Sequence, residues 1–152
     1  MMNNAVLDYL LSQKRPEDAR FFTVHLMQQL QANANPDDLL PLMQAAGIQA
    51  ARGMSLPPCQ TLTQLQDAIN AYWSQLGWGV VALAEHPDHL VIEHMASPLE
   101  SLLGRTHLEY GAAFLEGVYQ EWFVELGAGE SLQVRLAGID PETCDLLFRL
   151  AR

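Results

Sequence analysis

Two adjacent prolines, Pro57 and Pro58, divide this chain more firmly than any other feature. Each ring fixes φ, removes a backbone N–H and pushes the preceding residue out of the helical region, so an arriving helix has to stop and the chain runs extended. A new helix can begin only beyond them, where Thr61 or Thr63 offers a side-chain oxygen to the first free N–H groups. From there Leu62, Leu65, Ala68, Ile69, Tyr72, Trp73 and Leu76 recur at helical spacing and mark one buried face. Gly77 ends the helix through a positive φ, and Trp78-Gly79 leads into the β-prone run Val80 to Ala84. Arg52 to Gly79 thus reads as a helix end, a rigid turn, a helix and the start of a strand.

Helical patterns fill the chain before this point. Residues 4 to 13 suit a short helix, Phe21 to Leu30 a second one after Pro16-Glu17-Asp18, and Pro36-Asp37-Asp38 opens a third that runs to about Arg52. Ala45, Ala46, Gly47, Ala50, Ala51 and Gly53 leave little side-chain bulk at its end, which lets another helix approach closely. After the motif, Val80 to Ala84 and Leu90 to His94 form a hairpin around the polar turn Glu85-His86-Pro87-Asp88-His89, and residues 96 to 106 read as loop. Leu108, Ala112, Leu115, Val118, Tyr119, Trp122, Phe123 and Leu126 give the strongest helical period, closed by Gly127 and Gly129. Leu132, Val134 and Leu136 then alternate with polar residues, and Thr143 to Leu150 supplies a last strand after the Asp140-Pro141 turn. The expected fold is α+β: N-terminal helices, then a four-stranded antiparallel sheet interrupted by one long aromatic-rich helix, in a single domain over 1–152 with residues 1–15 as a mobile N-terminal segment.

Composition narrows the function. Eight Lys and Arg against 18 Asp and Glu give a net charge of −10. Such a surface repels phosphates, which removes the main source of affinity for nucleic acid and for anionic membranes. Met1 to Leu11 lacks a basic start and a long apolar stretch, and no run approaches the ~18 apolar residues of a membrane span, so the chain is read as cytoplasmic without membrane insertion. With 49% apolar and 17% charged residues, either an ordinary core or subunit interfaces accounts for the apolar surplus.

Residues of catalytic type are present without a catalytic arrangement. His86, His89 and His94 with Glu85, Asp88 and Glu93 have metal-ligand chemistry, but most of them fall in a solvated hairpin turn rather than on rigid elements that converge. Cys59 precedes a helix N-terminus, whose dipole lowers thiol pKa, yet no histidine is near in sequence and a small buried thiol is the simpler role. Arg52 serves either a ligand or the carbonyls at its helix end, and Trp78 serves as a stacking platform or as core. His25 and His107 are read as polar edge residues, and Glu116, Glu121 and Glu125 as side chains of the long helix, the last two solvated. No catalytic residue, cofactor site or metal site is assigned. Two readings stand: a scaffold whose subunit interfaces use the helix near 45 to 53 and the helix 112 to 126, or a sensor domain whose aromatic helix encloses a small apolar ligand.

Arg52-Gly53-Met54, Pro57-Pro58-Cys59-Gln60-Thr61, Leu65-Gln66 and Gly77-Trp78-Gly79 resemble the signature of the cellulose synthase D-subunit family. Leu115-Glu116-Gly117-Val118-Tyr119 with Trp122 resembles that family's second block at a compatible distance. The two blocks cover roughly a third of the chain; residues 1 to 15 and the loop 96 to 110 depart from the pattern. The resemblance implies a non-catalytic accessory protein of bacterial cellulose secretion, near the inner-membrane cellulose synthase complex and a Pro-rich accessory partner. It implies a homo-oligomer, a ring-like octamer built from dimers, with β-1,4-glucan chains guided through channels between protomers. No glucan contact is assigned to a residue, and the signature residues are expected to be structural.

Overall fold

The computed structural model describes residues 16–152, so the helix expected over 4 to 13 and the N-terminal segment lie outside the described residues. Helices α1 (Pro16–Asn33), α2 (Pro36–Arg52) and α3 (Leu62–Leu76) precede strands β1 (Val80–Glu85) and β2 (Leu90–Met95). Helix α4 (Leu99–Leu103), a 3₁₀ turn (Arg105–His107) and the long helix α5 (Leu108–Glu125) follow, and then β3 (Gln133–Ile139) and β4 (Leu146–Ala151). The α+β architecture is the expected one.

Local chemistry sets the helix ends. Asn35 caps α2, its side chain accepting from the Asp37 N–H at 3.0 Å, with Asp37 and Asp38 at the positive end of the dipole. Thr61 caps α3 by accepting from the Gln64 N–H at 3.1 Å, and the Gln64 side chain reaches back to accept from the Gln60 N–H at 2.9 Å. Gly77 closes α3 in the left-handed region at φ +69°.

Two segments differ from their sequence reading. Residues 96 to 106 hold α4 and the 3₁₀ turn, because Leu99 and Leu103, four apart, both close over Gly111 of α5. The last strand starts at Leu146, because the Asp140 carboxylate accepts from the Glu142 and Thr143 N–H groups and Cys144 turns the chain at φ +60°.

The strands form one antiparallel sheet in the order β1-β2-β4-β3. One face carries Val81, Ile92, His94, Val134, Leu146, Phe148 and Leu150, all buried, against Ile69 and Trp73 of α3 and Leu115, Val118, Tyr119 and Trp122 of α5. Helix α5 is buried around most of its circumference because α2 packs on its other side, which explains the wide aromatic stripe.

The crossing of α2 and α5 is backbone on backbone. A methyl group at Gly47 would overlap the Phe114 carbonyl oxygen and come within 3.0 Å of the Val118 nitrogen; one at Gly117 would overlap the Gln44 carbonyl oxygen and come within 3.0 Å of the Ile48 nitrogen. The small residues of α2 do admit a second helix, as their pattern suggests. The partner is α5 of the same chain, so the two helices expected to serve subunit contacts spend these faces on each other.

Helix side chains also seal both edges of the sheet. On β1, Asn70 accepts from the Val81 N–H at 2.7 Å and donates to its carbonyl at 2.9 Å, and Gln66 accepts from the Leu83 N–H at 2.9 Å. On β3, Gln120 accepts from the Val134 N–H at 2.8 Å and donates to the Leu132 carbonyl at 2.9 Å, while Glu116 accepts from the Leu136 N–H at 2.7 Å. The edge N–H groups of Val81, Leu83, Val134 and Leu136, from which another strand could pair, are thereby occupied.

Candidate functional site

The singled-out residues fall on the turn after α2, on α3, on the start of β1 and on α5, and most of them meet in one aromatic cluster. Arg52 does not serve its own helix carbonyls, which take the Gly53 and Met54 N–H groups instead. Its Nε donates to Glu121 Oε1 at 2.9 Å, so Glu121 is half-buried and paired rather than solvated. The extended segment after α2 is held by two aromatic donors: Trp122 Nε1–H donates to the Met54 carbonyl at 2.8 Å, and the Tyr72 hydroxyl donates to the Ser55 carbonyl at 2.7 Å. Those two rings stack on each other with centroids 5.9 Å apart. Met54, Leu56 and Cys59 pack against the core, with Cys59 Sγ 3.2 Å from the Pro57 carbonyl, while Pro57, Pro58, Gln60 and Thr61 are exposed.

Trp78 is half-buried, stacked on Trp73 at 5.8 Å and tilted against Phe114 at 5.8 Å, so its indole serves the core. Gly79 has φ +100°, and any Cβ there would run into the backbone of Met95 and Ala96, which is why β1 can start so close to the end of β2. Leu115 and Tyr119 are buried; Glu116 accepts from Gln44 Nε2 at 2.6 Å as well as from β3.

The centre of the cluster is polar, and sequence reasoning missed it. His94, grouped by residue type with the histidines of the turn, is fully buried, because it falls on the same inward alternation as Ile92. Its Nε2 lies 2.7 Å from the Trp78 carbonyl, which can only accept, so Nε2 carries the proton and Nδ1 is free to accept from the Tyr119 hydroxyl at 2.6 Å. Tyr119 in turn accepts from Trp73 Nε1–H at 3.1 Å. The relay Trp73 to Tyr119 to His94 to Trp78 therefore satisfies each buried polar group it contains, joining α3, α5, β2 and the α3–β1 turn.

Electrostatics fix this relay in one state. Burial, working against the Trp78 carbonyl and the charge of Asp145, holds the His94 imidazole below its ordinary range, and burial pushes the Tyr119 phenol well above its own. A histidine with a lowered folded pKa contributes in full above the unfolded value of about 6.5 and loses that contribution as pH falls from there toward the folded value. The thermal midpoint is accordingly expected to fall between pH 7 and pH 5, and to fall less in His94→Gln. Equal slopes in parallel melts would refute the assignment. Asp88, held down chiefly by His89, and Asp140, held down by the Thr143 and Glu142 N–H groups, act only below about pH 4.

His86 and His89 stack face to face at 4.6 Å, and His89 Nδ1 lies 2.6 Å from Asp88 Oδ1. Among the described residues no three His, Cys, Asp or Glu side chains converge as a metal ligand set. His25 is exposed and packs edge-on against Phe21, and His107 caps α5 by position without a side-chain hydrogen bond. The space an apolar ligand would need beneath the aromatic helix is filled by Trp73, Tyr119, Trp122 and Phe148. A surface groove of about 250 Å³ between α2, α5 and β3 is lined by Gln44, Glu116, Gln120, Gln133 and Arg135 among others. Among the described residues no helix is long and apolar enough to cross a membrane.

What the relay can do chemically is hold four elements together, with the side chains of Trp73, His94 and Tyr119 buried. A family model for the D subunit of cellulose synthase matches residues 5–149. Cellulose synthase operon protein D of Komagataeibacter xylinus is 35% identical over 107 residues, 66% of this chain and 69% of that protein. Both signature blocks, and the aromatic relay to which they contribute Trp78 and Tyr119, fall within the region matched by the family model, and the chain belongs to the cellulose synthase D-subunit family.

Proposed function

We propose that this chain is a non-catalytic accessory protein of bacterial cellulose synthesis and secretion, an oligomeric ring that organises or guides glucan chains so that they crystallise in parallel. The observation that carries the reading is where the family-signature residues are spent. Gly117, Tyr119, Trp122, Trp78 and Gly79 build the core and its close approaches, and Glu116 and Arg52 tie elements together. An enzyme's signature would instead present groups to a substrate. The ring, an octamer built from dimers, acts beside the synthase complex and its Pro-rich partner in the cytoplasm. Exposed apolar residues on α1 and α2 support assembly: Phe21 is 69% exposed, Phe22 68%, and Leu26 and Leu42 are also exposed.

Deleting the gene and measuring cellulose crystallinity beside total yield tests this reading. The expected result is a loss of crystalline order larger than the loss of yield. Unchanged crystallinity, or abolished polymerisation in isolated membranes, would argue against a guiding role.

A further inference from the structure

Only one face of the sheet is covered by helices among the described residues. The pairing register lays out the other. Ala84, Val91, Arg149 and Arg135 stand side by side across β1, β2, β4 and β3, and Ala82, Glu93, Leu147 and Gly138 form the next row. Val80 is 54% and Leu147 39% exposed on this face, which also carries the half-buried Ala82, Val91 and Met95. A sheet face meant for water alternates its apolar inner residues with polar outer ones. Here the outer positions are mostly apolar.

The charges on this face are equally unusual. Arg135 and Arg149 are direct cross-strand partners, and like charges so placed repel. Arg149 Nη2 reaches Asp88 Oδ2 at 3.2 Å, while Arg135 Nη2 donates to the neutral Gln133 Oε1 at 2.8 Å. In a chain of net charge −10, the strands of this face carry two guanidiniums against one carboxylate, Glu93 on the strand beside Arg149, with Asp88 of the turn paired to Arg149.

We propose that this outer face docks on the same face of a second copy of the chain, an inference that rests on the oligomeric reading above. A two-fold axis along the sheet between β2 and β4 sets β2 of one copy over β4 of the other. Glu93 of each copy then lies over Leu147, within reach of the Arg149 and Arg135 pair of the other, and the contact satisfies itself twice. Arg135, which donates only to the neutral Gln133 within its own chain, gains a carboxylate, and the apolar rows are taken from water. The face covers on the order of 400 Å², from four strands ~4.8 Å apart and six residues at ~3.4 Å, about half the ~800 Å² per partner of a standard interface. It therefore suits one of two different contacts in a ring of dimers, with the opposite charge of the rest of the surface keeping other approaches apart.

Sedimentation velocity on the full chain, with charge-reversed variants, tests the proposal. Glu93→Arg alone, and Arg135→Glu with Arg149→Glu, are each expected to weaken self-association about tenfold or more, because each sets like charges against one another. Mixing the two variants restores the contact, since every reversed charge then meets its opposite. If the unaltered chain assembles and both variants assemble as well as it does, the face is not the interface, although the oligomeric reading stands. If the unaltered chain is a monomer at micromolar concentration, the oligomeric reading fails and this one with it. Circular dichroism checks folding; should a reversed variant not fold, Leu147→Glu, which sets a carboxylate against Glu93 of the other copy, carries the same expectation, and its full assembly overturns the proposal.

Discussion

Replacing Gly117 with alanine is expected to destabilise the protein by about 3 kcal/mol or more, at or above the upper end of ordinary overpacking. Helix propensity alone argues the other way, since alanine within a helix is better than glycine by about 1 kcal/mol. The contact decides the sign. The new methyl would overlap the Gln44 carbonyl oxygen, and that atom belongs to helix backbone, which cannot swing aside as a side chain can. Helices α2 and α5 have to separate, loosening the packing on both sides of α5. Gly47→Ala meets the same crossing from the other helix, against the Phe114 carbonyl. Once the helices have parted for one methyl the second finds room, so the double variant should cost less than the sum of the two. Urea denaturation of the three variants measures this. A Gly117→Ala chain as stable as its parent would mean that the helices do not approach so closely.

Trp122→Ala is expected to cost about 3 to 5 kcal/mol, the range for large buried aromatics. The indole is fully buried among Tyr72, Trp73 and Tyr119, with ring centroids 5.4 to 6.0 Å away. It also donates the hydrogen bond that fixes the Met54 carbonyl, and with it the start of the extended segment before the two prolines. Trp122→Phe separates the two contributions. Most of the apolar contact is kept, but the carbonyl loses its donor, at a cost of about 1 to 3 kcal/mol if water does not replace it. A thermal melt of Trp122→Ala coinciding with that of the parent would contradict the buried placement.

Short-range chemistry made much of the fold readable. The Thr61 cap, the αL Gly77 and the hydrophobic period between them fix α3 from residues no more than four apart, and its observed bounds follow. The period of α5 was equally clear, because a helix covered on several sides carries more apolar residues than any single stripe needs. The five-residue α4 was not readable, since so short a helix is stable only through its contact with Gly111, more than seven residues away. Cys144 at positive φ hid the true start of β4 for a similar reason. The candidate site divided along the same line. Gly47 and Gly117 could each be seen as small, but that they face one another depends on a crossing of elements seventy residues apart in sequence. His94, at the end of the expected strand, groups with His86 and His89 of the turn only because it shares their metal-ligand chemistry. Only the alternation with Ile92 pointed inward, and only Tyr119 and the Trp78 carbonyl make that burial tolerable.

The sealed margins of the sheet bear on how such a protein can be crowded. Proteins that assemble in many copies at one place run the risk that stray strands join end on end into fibres. Here Asn70 and Gln66 on one side, and Gln120 and Glu116 on the other, occupy the positions from which such growth would start. A strand added at either edge would first have to displace these four side chains, so crowding alone does not extend the sheet.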